Sequence, residues 1–141
     1  MKAKAYLRQI ALLDMRIEIG MEELEQSKAM ATKVTSAISG EVVSGTRDND
    51  KMTDIVAKII ELQDKLNHDI DRFIDAKNEV LQMLSRVENP NYHRLLHSRY
   101  ILYKKWEQIA YEMNYTYRGI TKMHGKALLA FEAVLESEKS S

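Results

Sequence analysis

Cysteine is absent from the 141-residue chain, which excludes disulfides, thiolate chemistry and Cys-based zinc sites and gives no pointer to an oxidising compartment. Proline occurs once and glycine five times, too rarely to punctuate a turn-rich β protein. Long apolar runs are also missing. Near the N-terminus Arg8, Asp14, Arg16 and Glu18 interrupt the hydrophobic residues, which excludes a signal segment or a membrane span there. A cytoplasmic protein with no membrane partner is expected. What the chain does have is Glu, Lys, Leu, Ala and Met, residues that favour long helices, so the expected fold class is all-α.

Formal charge balances at 21 basic and 21 acidic residues, which as an average argues against strong attraction to nucleic acid or membrane. The average conceals an asymmetry. Between Asn91 and Phe131 seven basic residues (Arg94, Arg99, Lys104, Lys105, Arg118, Lys122, Lys126) face two acids (Glu107, Glu112), a local net charge of +5. The rest of the chain carries the compensating −5.

From Ala3 to Ile38 apolar residues recur at steps of three and four: Ala3, Tyr6, Ile10, Leu13, Ile17, Leu24, Ala31, Val34, Ile38. Gly20 and Ser27 occupy the missing places in the series and leave room for a close helix approach. Ser39–Arg47 breaks the pattern and predicts a loop, with Asp48, Asn49 and Asp50 as candidate N-caps for a second helix. A second series runs through Met52, Ile59, Leu66, Phe73, Val80 and Val87, accompanied by Ile55, Leu62, Ala76 and Met83, with Asp69 its polar exception. Two helices of roughly 36 residues, about 54 Å each at 1.5 Å per residue, most simply fold back as a long antiparallel, coiled-coil-like hairpin. The Met, Ile and Leu stripes are then its core.

Pro90 ends the second helix and opens a new part, with Asn89 as N-cap and Pro90 in the first turn. Beyond it the apolar residues come in short groups suited to several crossing helices. The expected division is therefore 1–88, a scaffold or dimerisation hairpin, and 89–141, a helix-turn-helix.

The segment Trp106–Met123 carries the functional expectation. Ile109, Ala110 and Met113 form the inner face of one helix, with Ala110 small beneath a crossing helix. Asn114 stands where a turn requires left-handed geometry, Tyr115 plugs the angle between the helices as a core residue, and Thr116 caps the next helix. Ile120 and Met123 return to the core. Tyr117, Arg118, Thr121, Lys122 and Lys126 then lie outward, where a recognition helix meets base edges and phosphates, with Lys104, Lys105 and Arg99 as further basic contacts.

The run from Leu95 to Leu128, with Arg99-Tyr100, Trp106-Glu107-Gln108-Ile109-Ala110 and His124-Gly125-Lys126-Ala127-Leu128, resembles region four of bacterial sigma factors. The whole chain, including Tyr6-Leu7-Arg8-Gln9-Ile10, Asp50-Lys51-Met52 and Asp71-Arg72, resembles short phage and prophage regulators related to the late-transcription activators ArpU and RinA. That resemblance implies promoter-proximal DNA binding in a bacterial host cell, with contact to RNA polymerase. It places Arg118, Thr121 and Lys122 at base- and phosphate-reading positions. Gly119 inside the recognition helix and Tyr117 in place of a polar or basic residue depart from the pattern.

Other constellations are weaker. His93 and His97, four residues apart, suit two zinc ligands but lack a third nearby. They and His124 are expected to face solvent or phosphate and to strengthen DNA binding when protonated. Asp71 and Asp75 read as a solvated helix face. Gly40 and Gly45 lack the residues of a phosphate loop, and no nucleophile has a partnered base. The expectation is a non-enzymatic regulator without cofactor or metal that binds duplex DNA, as a homodimer on two half-sites. Its rival is a protein interaction module whose hairpin binds polymerase or a phage assembly factor, with DNA binding secondary.

Overall fold

The computed structural model describes residues 2–40 and 46–140. In chain order these form α1 (Lys2–Gly40), α2 (Thr46–Leu84), α3 (Pro90–Leu96) running on into a π-helical turn (His97–Ile101), α4 (Trp106–Met113) and α5 (Tyr117–Ser140). No strand occurs among the described residues, so the fold class is all-α. Among the described residues no helix is long and apolar enough to cross a membrane.

Residues 41–45, the middle of the expected loop, lie outside the described residues. Helix extends further towards them than the glycines suggest, to Gly40 on one side and from Thr46 on the other. Asp48, Asn49 and Asp50 therefore sit inside the first turns of α2 instead of preceding it. Acidic residues suit that position because the first N–H groups of a helix carry partial positive charge.

The chain divides into two compact units. The first, Leu13–Arg72, is built from parts of α1 and α2 and is called the seam unit below. Among the described residues its buried apolar members are Leu13, Leu62 and Leu66, flanked by half-buried Ile17, Leu24, Val34, Ile55 and Ile59 at the places the periodicity marks. Gly20 packs where a Cβ would stand 3.2 Å from Leu66 Cδ1, which explains its small size. Nearby the Arg16 guanidinium lies 3.4 Å from Asp69 Oδ1. Those pairings, 16 with 69 and 20 with 66, run in opposite directions along the two helices. Asp69 is only 3% exposed and Oδ1 accepts no hydrogen bond, so the half-exposed Arg16 compensates its charge without fully replacing its hydration.

The second, the core unit, comprises Met1–Leu12 and Phe73–Ser141. One buried cluster joins Ala3, Leu7 and Ile10 of α1 to Val80, Met83 and Leu84 of α2 and to Leu95, Ile109, Ile120, Leu128 and Phe131 further along the chain. Each fully buried Leu or Phe side chain contributes roughly 1.5–3 kcal/mol. The Ala3 N–H donates to Glu132 Oε2 at 2.9 Å, so a carboxylate of α5 satisfies one of the unpaired donors at the start of α1. Arg86 and Glu138 form an ion pair in the same unit. Both outer ends of the first two helices cluster with the C-terminal helices in this unit.

Candidate nucleic-acid interface

Asn89 opens α3 by accepting the Asn91 N–H at 2.9 Å on its side chain, with Pro90 in the first turn. The π-helical turn that follows buries Ser98, Tyr100 and Ile101 and ends where Tyr103 takes a left-handed φ of 58° and the Lys104 N–H donates to the Ser98 carbonyl at 3.0 Å. Lys105 is extended and starts α4, whose Ile109 and Ala110 are buried.

Asn114 ends α4 in the left-handed conformation, φ 61° and ψ 42°. The Tyr115 N–H donates back to the Ala110 carbonyl at 2.9 Å. Thr116 caps α5: its hydroxyl accepts the Gly119 N–H at 3.0 Å and its carbonyl accepts the Ile120 N–H at 2.9 Å. Gly119, anomalous as a helix-interior residue, belongs to this cap. A Cβ there would stand 3.1 Å from Thr116 Oγ1 and 3.6 Å from Tyr115 Cδ1. Tyr115 is not a core plug: it lies beside Gly119 and remains 42% exposed, because Ile109, Ala110 and Ile120 already fill the interior.

On α5, Tyr117, Arg118, Thr121, Lys122 and Lys126 are all exposed. Arg118, Lys122 and Lys126 follow one another at four-residue steps and so share a face. No acidic residue occurs from Met113 to Phe131. Lys105 is exposed as well.

Two of the expected basic contacts have partners within the protein, an acid for Lys104 and an aromatic ring with a carbonyl for Arg99. Lys104 Nζ donates to Glu112 Oε2 at 2.7 Å and Oε1 at 3.1 Å, and this bond holds the Glu112 carboxyl below its ordinary range. Its charge is spent on α4. Arg99 packs with its guanidinium 4.4 Å from the Trp106 ring centre while its NH1 donates to the Lys104 carbonyl at 3.0 Å. Thr121 turns its hydroxyl back to the Arg118 carbonyl at 2.9 Å.

The histidines also depart from expectation. Burial pushes the His124 imidazole down to about 4, with Lys4 and Arg99 adding repulsion. Its Nε2 lies 2.7 Å from the Tyr100 hydroxyl and its ring centre 4.5 Å from Trp106. It is neutral near pH 7 and is not a protonated phosphate contact. His97 is likewise lowered, by burial and then by neighbouring His93, Lys104 and Lys77. The rings of His93 and His97 meet edge-on at 6.5 Å.

Lys4 and Arg8, not anticipated as functional, line a cleft with Arg99, Trp106, Thr121 and His124. Their signal was present in the four-residue spacing of two cations on α1, each next in sequence to a buried residue, Ala3 or Leu7.

The site therefore has the character of a basic helical surface in an all-α protein. The chain belongs to the family described as protein of unknown function DUF1492, whose model matches residues 31–130. No curated protein and no solved structure matches the chain.

Proposed function

We propose that this protein is a sequence-specific duplex-DNA-binding transcriptional regulator of phage type, resembling sigma region four and the ArpU and RinA activators. In this reading α4, the Asn114–Thr116 turn and α5 form a helix-turn-helix. The observation that carries it is the capped start of α5, which presents Arg118, Lys122 and Lys126 on one exposed face with no acid nearby in sequence. Tyr117, 52% exposed, stands at the start of α5 beside Arg118, and Lys105 is exposed at the start of α4. Selecting bound fragments from a pool of random duplexes tests the reading directly: a recurrent sequence supports it, and Arg118→Ala should weaken binding to that sequence while leaving helicity unchanged. An unenriched pool contradicts it.

A second reading rests on the seam unit, where Met15, Ile19, Met21, Met30, Val56 and Ile60 are each 45–56% exposed. So much exposed apolar surface suits pairing of two helical hairpins in a homodimer, or docking of a polymerase subunit or assembly factor. Sedimentation equilibrium separates these: a dimer supports the first, whereas a monomer that binds a partner without binding DNA favours an interaction module.

A further inference from the structure

A cleft of about 630 Å³ opens in the core unit among the first turns of α1, the π-helical turn, α4 and α5. Lys4, Arg8 and Arg99 contribute three cations to its lining, and among the described residues no carboxylate lines it. Holding like charges together in a partly enclosed space costs electrostatic free energy, which a bound anion offsets. Arg99 is held in place by its packing on Trp106 and by the bond from one of its terminal nitrogens to the Lys104 carbonyl, a geometry that positions its guanidinium fork at the cleft. Lys4 and Arg8 are exposed and stand one helical turn apart. His124 adds no charge near pH 7, since burial holds it down to about 4.

The cleft is larger than a bare oxyanion requires and falls within the roughly 300–1,000 Å³ of small-ligand sites. Tyr100 and Trp106 set aromatic surface beside the cations. Cations next to aromatic rings are the chemistry that receives a phosphate carrying a nucleobase.

We propose that this cleft is a nucleotide phosphate site, in which Lys4, Arg8 and Arg99 hold the phosphoryl oxygens of a nucleotide, free or within a DNA strand. A free nucleotide would satisfy the site without any duplex binding, so the assignment does not depend on the DNA reading.

Trp106 is the sole tryptophan, so its fluorescence reports the cleft directly. The intact protein is titrated with inorganic phosphate, adenosine monophosphate and a short duplex, alongside Lys4→Gln, Arg8→Gln and their double variant. The expected result is a saturable change in Trp106 emission that weakens about tenfold in each single variant, with helicity unchanged. A response to phosphate or the monophosphate identifies a free ligand; a response to duplex alone identifies a strand phosphate. Silence with all three probes, or undiminished affinity in the double variant, overturns the assignment. Monophosphate binding without duplex binding contradicts the DNA reading and leaves the cleft assignment standing.

Discussion

The two units spend their hydrophobic residues differently. In the core unit short segments remote in sequence converge on Phe131, Leu7, Ile10 and Leu84, all fully buried. In the seam unit Leu13, Leu62 and Leu66 are the buried apolar residues among those described, an acid is buried with them, and large apolar side chains remain exposed. Helical periodicity alone does not distinguish these outcomes. A heptad stripe records which face of a helix is apolar, whereas the depth of burial depends on how many other elements arrive to cover it.

The sharpest way to break this comparison is a cavity in the core unit. Phe131→Ala is expected to destabilise by about 3–5 kcal/mol, measured by denaturant unfolding. A loss comparable to that of an exposed alanine substitution would show that the cluster is not the stabilising centre. Next in size, Arg118→Ala should weaken duplex binding by about 1–3 kcal/mol without altering the unfolding midpoint. Removing the α5 cap with Thr116→Ala should cost about 1 kcal/mol, seen as a lowered midpoint. Within the seam unit the expected sign reverses: Asp69→Leu removes a buried acid whose partner Arg16 keeps access to water, and stability should rise by about 1 kcal/mol. A fall in thermal midpoint would mean that the ion pair outweighs the desolvation of the carboxylate.

A separate effect concerns pH. His124 in the folded protein is lowered from 6.5 to about 4, so between those values the unfolded chain binds the proton more readily. Stability from this group is complete above about 6.5 and is lost as pH falls towards 4. His124→Gln should flatten the unfolding midpoint across that window. A wild-type slope that survives the substitution would assign the effect to other groups.

Local geometry was legible in the sequence wherever a residue type answers a local backbone demand. Asn114 takes its left-handed turn, Thr116 its cap and Asn89 its side-chain bond to the start of α3. Gly20 meets its close approach. What escaped was whatever depends on residues far apart. Lys4 and Arg8 join Arg99 and Trp106 only because α1 begins against α5, where Glu132 receives the Ala3 N–H. Tyr115 was expected inside because it is large and aromatic, yet the interior was already occupied. Lys104 and His124 looked like free basic groups until their partners, Glu112 and Tyr100, were placed beside them. Charge counted along the chain therefore overstates the cations open to a ligand between the π-helical turn and α5, and misses those contributed by α1.

The central claim, that the exposed face of α5 engages the backbone of duplex DNA, is tested most directly by the salt dependence of affinity. Equilibrium binding of one duplex is measured across a range of salt concentrations for the wild-type protein and for Lys122→Ala. The account predicts a linear fall of log affinity with log salt, with a slope shallower by about one in the variant. An unchanged slope in Lys122→Ala, or no binding even at low salt, would contradict it.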